Sequence, residues 1–367
     1  MSDTADVIVI GGGIAGIGAA AMLSGDAKVI VLETEDAPGR HSTGRSAAIF
    51  IRNYGNAVLR SLNAASAPFL ESPDILDLTS VLSPRGELLV AGEEDLPELE
   101  AYLDGAVGIE RMTPDQAVEL VPILRKELLV AAAYEPDAQD IDVDRLFQGY
   151  IRYLRHNGGT IATKASVEAL SRDNGVWTIT AGGKSYQAPI IINASGAWAD
   201  VVAGLAGMSP IGIQPMRRTA AILPAPEIEG FDRWPLFAAA SEDWYAKPEA
   251  GTLMVSPADE DPVDPHDAWA DDMVLAEGLY RFEQAVDYPV TRVERSWAGL
   301  RSFAPDRSPV VGFDPRCDGF FWLAGQGGYG IQTAPALSKL AADLCLGRDS
   351  DLDAETVSAL SPGRFLS

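Results

Sequence analysis

Histidine and cysteine are nearly missing from this chain. Its 367 residues hold three histidines, His41, His156 and His266, and two cysteines, Cys317 and Cys345. Neither type clusters, which excludes a disulfide framework and a zinc or iron centre of the usual histidine or cysteine kind. Reduced thiols predict a cytoplasmic protein. Basic residues are also scarce, 28 against 53 acidic, for a net charge of −25. Such a field repels nucleic acid and anionic membrane surfaces, so neither is expected as a partner. No apolar run reaches the ~20 residues of a membrane span. The longest candidate, 188–207, is broken by Asn193, Ser195 and Asp200. The opening MSDTADVIVI lacks the basic region of a signal peptide.

What is present is ordinary in bulk and specific in detail. A hydrophobic content of 47% with 22% charged residues suits a globular protein. The length allows one large domain or two interlocked ones. The detail begins with DVIVI, Asp6 to Ile10, a β-branched run of the kind that forms buried parallel strands. It runs into GGGIAG, with Gly11, Gly13 and Gly16 at the spacing G-x-G-x-x-G, then into the helix-forming IGAAAMLSG and a second strand, KVIVLE, ending at Glu33. Each part has a physical job. Gly11 permits the tight turn, Gly13 lets the backbone approach a pyrophosphate, and Gly16 lets helix and strand pack closely. The helix N-terminus around Ile14 and Ala15 offers N–H groups and partial positive charge to phosphates. Glu33 can accept hydrogen bonds from ribose hydroxyls. Together they predict a dinucleotide site.

The segment HSTGRSAAIF, 41–50, bears on which dinucleotide. An NAD domain would continue at once into another βαβ unit. Here a long stretch of small and polar residues follows instead. Small residues allow close approach to a flat ring, and hydroxyls and N–H groups can bind phosphate. That suits a flavin that stays bound, although Ser42 or Thr43 could also cap a short helix.

Farther along, 56–125 reads as irregular and helical, with acidic loops and a helix start at Thr113-Pro114-Asp115. Asp142 caps VDRLFQGYIRYLRHNGG, whose Val143, Leu146, Phe147, Tyr150 and Leu154 share a face. A β-meander leads to the buried strand PIIINASGAW, which ends in small residues as a strand returning to the dinucleotide domain would. Residues 210–298 alternate as half-buried strands, with KPEAG as a hairpin turn and ADEDPVDPHDAWADD as a solvated acidic loop. The chain closes on FFWLAG, QGGYGIQTAP and the helix ALSKLAADLCLG. This second glycine loop aims a helix N-terminus at something electron-rich, such as the N1–C2=O edge of a flavin.

GGGIAG with Glu33, HSTGRSAA, INASGAW, WAGLRSF and GQGGYGIQTAP together resemble the D-amino-acid oxidase and glycine oxidase superfamily of FAD enzymes, across nearly the whole chain. HSTGRSAA, LSPRGE, the DVDRLFQGY helix start, AGLRSF and QGGYGIQT are most similar to the bacterial FAD-dependent D-arginine dehydrogenase branch. The resemblance implies an α/β (α+β) fold: a discontinuous Rossmann-type FAD-binding domain, 1–80, 140–208 and 296–367, with an inserted, mainly antiparallel substrate-binding sheet, 81–139 and 209–295. It implies non-covalent FAD, held by Gly11, Gly13, Ile14, Ala15, Gly16, Glu33, Thr34, His41, Ser42, Thr43, Ser46, Ala47, Ala48, Val167, Ala194, Gly196 and Trp198, and by Gly299, Arg301, Gly327, Gly328, Tyr329, Gly330, Ile331 and Gln332.

The implied reaction is hydride transfer from the α-carbon of a D-amino acid to flavin N5, giving an imine that hydrolyses to a 2-oxo acid and ammonia. Arg218 and Arg301 match the arginines that hold the substrate carboxylate, helped by Tyr245. Tyr54 matches a pocket tyrosine, the Gly328 carbonyl a partner for the α-amine, and Glu87 the acceptor of a basic side chain. One position departs: Ile49 stands where the branch has a pocket histidine. An isoleucine neither titrates nor hydrogen-bonds, which is expected to shift preference away from D-arginine. The alternatives are a secondary (N-alkyl or cyclic) amine or a 2-hydroxy acid as substrate, and a flavin-binding protein without turnover. Oxygen, a quinone or another acceptor would reoxidise the flavin.

Overall fold

The computed structural model describes residues 2–365; Met1 and residues 366–367, the outer ends of the expected FAD-binding segments, lie outside the described residues. Among the described residues two large sheets dominate. The smaller has six strands, in the order Thr160–Ala162, Val29–Leu32, Val7–Ile10, Ile190–Asn193, Phe320–Ala324 and Val310–Phe313. All its pairings are parallel except the last. VIVI, VIVL and FFWLA are buried at every position, as strands covered on both faces must be. Helix Ile14–Leu23 packs on one face with Val143–His156 and Gly330–Cys345. The short meander and helix Ala199–Leu205 cover the other.

The larger sheet has ten strands. Its path runs from Gln326–Gly327 through Arg295–Phe303, Gln214–Leu223, Thr252–Ser256, Tyr245–Glu249, Leu236–Ala239, Glu87–Ala91 and Ala131–Glu135 to Glu110–Met112, and the tenth strand, Asp261–Pro262, pairs off this path with Gln214–Leu223. Most neighbours are antiparallel; Leu236–Ala239 runs parallel to Glu87–Ala91. Alternation gives the sheet two unlike faces. Leu88, Val90, Phe237, Ala246, Leu253 and Val255 pack against helix Asp272–Ala285 in an apolar core. The opposite face carries Glu87, Leu89, Leu236, Ala238, Tyr245, Arg218 and Arg301, all of which line one cavity.

Two expectations need correction. The stretch 56–125 is not merely helical and irregular, because ELLVA forms a fully buried strand, Glu87–Ala91, deep in the larger sheet. Four apolar residues behind Glu87, between acidic loops, carry no periodicity to read. Strand Arg295–Phe303 pairs along its whole length with Gln214–Leu223 in the larger sheet. The acidic loop after Ser256 is not simply solvated. Asp259 is buried and accepts from the Thr219 N–H (2.6 Å) and hydroxyl (2.9 Å), and Glu260 and Asp267 pair with arginines. Other local readings hold: Asp142 caps its helix through the Arg145 N–H, Thr113 and Gln116 form a capping box, and KPEAG turns a hairpin.

Candidate active site

A single elongated cavity of about 530 Å³ lies between the two sheets. One end is made mostly of backbone. Val7–Ile10 delivers Gly11 to a turn at φ 111°, open to glycine alone. A Cβ on Gly11 would strike the Ala194 carbonyl, and one on Gly16 would overlap the Gly11 carbonyl. A Cβ on Gly13 would come within 3.3 Å of the Thr43 hydroxyl, and Gly13 leads into the N-terminus of helix Ile14–Leu23. Glu33 is buried at the tip of the second strand, where its carboxylate accepts from the Gly12 and Glu35 N–H groups, each at 2.8 Å. Thr43 accepts from the Ile14 N–H (2.9 Å), which ties HSTGRSAA to the helix start. Ser42 donates to the Leu300 carbonyl (2.6 Å). The His41 ring packs tilted at 54° against Trp198, centroids 5.1 Å apart, with its Nε2 at 3.0 Å from Glu35. Thr34, Ser46, Ala47, Ala48, Val167, Ala194 and Gly196 complete this end.

The other end is made of side chains. Arg218 and Arg301 sit on neighbouring strands, where Arg218 pairs with Gly299 and Arg301 with Met216. They are diagonal neighbours on one face, within reach of a common small anion. Arg218 is 8% exposed. It donates from Nε to the Asp259 carbonyl (2.8 Å) and from Nη2 to Glu260 (2.9 Å). Arg301 packs on Gly328, whose lack of a side chain makes room for the guanidinium. Among the described residues no carboxylate lies within 4.0 Å of Arg301. Burial works against the Arg301 charge, but Tyr54 and Tyr245 outweigh it and raise its pKa. Burial also pushes the Tyr54 phenol up, with Arg301 only partly opposing. Burial would raise Tyr245 too, yet Arg301 and Arg218 together hold its phenol below the ordinary range.

Glu87 lies toward the far end of the larger sheet. It is buried and accepts from the Tyr102 hydroxyl at 2.9 Å. Directly opposite it in the sheet stands Glu135, which is held by the Asn53 amide (2.7 Å) and the Arg52 N–H (2.9 Å). Burial first, then the Glu135 charge, pushes Glu87 up to about 8. Ile49 joins Leu89, Leu236, Ala238 and Tyr245 in an apolar wall. It reaches that wall because Ala48 adopts a left-handed φ of 57° and Ile49 then pairs with Asp140.

Of the residues expected in the site, all line this cavity except Gly16 and Tyr329. Gly16 serves helix–strand packing. Tyr329 is turned into the core, 5.0 Å from the ring of Tyr54 and 6.2 Å from Phe303. Its backbone starts helix Gly330–Cys345, and Gly327, Gly328, Gly330, Ile331 and Gln332 face the cavity around it. Sequence reasoning missed Tyr102, Gln326, Glu242 and the apolar wall. Tyr102 sits in the unremarkable helix LPELEAYL, with no spacing to mark it. Gln326 stands in the glycine loop, where its polar side chain was a readable signal.

The backbone end fits a dinucleotide. Its turn excludes any Cβ, Gly12, Gly13 and Ile14 line the cavity at its helix start, and Gln326 Nε2 is buried on the cavity without a hydrogen-bond partner. The family model described as FAD-dependent oxidoreductase matches residues 6–344. This chain belongs to the FAD-dependent oxidoreductase family, and FAD is its cofactor. The family's fold is seen in L-proline dehydrogenase from P. horikoshii (TM-score 0.85, 21% identity, covering 100% of this chain and 99% of that one). Glycine oxidase from Geobacillus kaustophilus is similar to the same degree (TM-score 0.85, 21% identity, 98% of each). Among curated members, FAD-dependent oxidoreductase domain-containing protein 1 of Xenopus laevis is 25% identical over 426 residues, covering 100% of this chain and 83% of its own length. Among the described residues of this FAD-dependent oxidoreductase, no helix is long and apolar enough to cross a membrane, and no group of side chains could hold a metal ion.

Proposed function

We propose that this FAD-dependent oxidoreductase oxidises a free amino acid, of the D configuration and with a cationic or polar side chain, at the α C–N bond. The observation that carries the reading is one cavity with two guanidiniums at one end of its side-chain part and a buried carboxyl at the other. Arg218 and Arg301 hold the substrate carboxylate, each presenting a planar donor fork. Tyr245 supports the pair. Tyr54 and the Gly328 carbonyl border the α-amine, and Leu89 and Leu236 guide the side chain toward Glu87 and Tyr102. Bound FAD supplies the two-electron acceptor. The protein's own contribution is placement: the carboxylate anchor fixes the α-carbon, and the apolar wall around Ile49 favours the neutral amine from which electrons can leave. The proposed FAD-binding part comprises 1–80, 140–208 and 296–367, and the proposed substrate-binding part 81–139 and 209–295.

A neutral protonated Glu87 and an incoming cation are linked. Cation binding favours the carboxylate, so below pH 8 it releases a proton and weakens as the pH falls. A second reading has one specific support. Ile49 offers no hydrogen bond near the amine, so an N-alkyl or cyclic secondary amine fits the wall without an unmet polar group. Anaerobic bleaching of the flavin by a panel of D- and L-amino acids, N-methyl and cyclic amino acids and 2-hydroxy acids tests both. Fastest bleaching by basic D-amino acids is expected. Bleaching by hydroxy acids alone would sink the amine reading.

A further inference from the structure

Glu260 does not line the cavity, yet it is bonded to a residue that does. Its Oε1 accepts from Arg218 Nη2 at 2.9 Å, and both its oxygens lie within 3.1 Å of Arg307 Nη2. Arg218 does not need this contact for its orientation. Its Nε is already held by the Asp259 carbonyl, and Asp259 is fixed by two bonds from Thr219. The contact therefore contributes charge more than geometry. The Glu260 charge also reaches Arg301. Arg307 lies outside, 47% exposed, with its guanidinium 3.9 Å above the Phe303 ring.

We propose that Glu260 sets the net charge of the carboxylate clamp at one positive unit and thereby restricts it to monocarboxylates. The inference rests on Arg218 and Arg301 being that clamp. Two guanidiniums alone would present two positive charges to a partly desolvated cavity, and a dicarboxylate would match them. With Glu260 beside Arg218, one carboxylate completes the neutralisation, and a second is left without a counter-charge where water screens poorly. Arg307 tempers Glu260 from the solvent side, so the two residues act on the clamp with opposite sign. Glu260 acts through Arg218 and is a specificity-determining residue that never touches the substrate.

The test uses the FAD-loaded enzyme and equilibrium binding of benzoate and malonate, read from the change in flavin absorbance, with no turnover needed. Glu260→Gln keeps an oxygen acceptor for Arg218 and removes the charge. It should tighten malonate at least tenfold and benzoate by less. Arg307→Gln should weaken both about threefold, because Glu260 then loses its outer partner. Opposite shifts from two charge-removing substitutions are not what a merely structural contact would give. Malonate binding that is unchanged or weaker in Glu260→Gln, with benzoate binding still lost in Arg301→Met, would overturn this inference alone. Benzoate binding indifferent to both Arg218→Met and Arg301→Met would overturn the clamp, and the inference with it.

Discussion

The two ends of the cavity are built from different materials. The cofactor end relies on backbone: a turn that admits no Cβ, a glycine-led helix start, and a carboxylate spanned by two N–H groups. The end proposed for the substrate relies on side chains carried by one face of a sheet, with charges opposed across it. Backbone geometry is dictated by residue spacing and tolerates no substitution where it is tight. Side-chain geometry tolerates exchange, and each exchange alters what is bound. One end is therefore constant in purpose and the other adjustable.

Breaking the backbone end should have the largest effect. Gly16→Ala forces a Cβ into the Gly11 carbonyl, so the purified variant should retain less than a tenth of the wild-type flavin and unfold several degrees lower. Full flavin content would show that the turn is less tight than drawn here. At the side-chain end, Arg301→Met should leave flavin content intact and lower kcat/KM for an amino acid about a hundredfold or more, the equivalent of ~3 kcal/mol for a charge-assisted bond. Parallel loss of flavin would erase the distinction between the two ends.

Glu87→Gln should act more mildly and depend on pH. A folded pKa of about 8 above an ordinary 4.5 means that the folded state holds an extra proton between those values. Stability is thus greatest below pH 4.5 and falls as the pH rises through 8. The variant should match wild type near pH 5 and be more stable near pH 9 by ~2 kcal/mol, as read from urea midpoints. Its affinity for a cationic substrate should be about tenfold lower at pH 8.5, with a flat pH profile where wild type climbs. The smallest change is expected from Ile49→His, which should shift the ratio of primary to N-methyl amino acid turnover severalfold toward the primary amine. Identical ratios would remove Ile49 from any part in amine recognition.

The same contrast explains what could be read in the amino acids alone. G-x-G-x-x-G, the acid at Glu33 and the strand IIIN announce themselves by spacing, and the chain folds them as expected. Arg218, Arg301 and Glu87 are anonymous in sequence. Only resemblance singled them out, since an isolated arginine or glutamate is more often a surface ion pair. Tyr102 and Glu260 carry no local mark at all. Tyr102 meets Glu87 across fifteen positions and Glu260 meets Arg218 across forty-two, through contacts that only the assembled sheet creates. Tyr329 differs again: its loop is adjacent to the cavity, while its ring packs inward.

Strand Arg295–Phe303 brings Trp297, Gly299 and Arg301 to the same side by simple alternation. Gly299 borders the cofactor segment at Arg45, and Arg301 borders the glycine loop at Gly328. Two residue steps of extended chain separate them, roughly 6.6 Å. The strand therefore works as a ruler: it sets the gap between the cofactor segment at Arg45 and the Arg301 guanidinium by covalent length, a dimension that thermal motion of loops barely alters. Inserting one residue between Gly299 and Arg301 would turn the arginine to the other side of the sheet, and no adjustment of the surrounding loops could restore the measure.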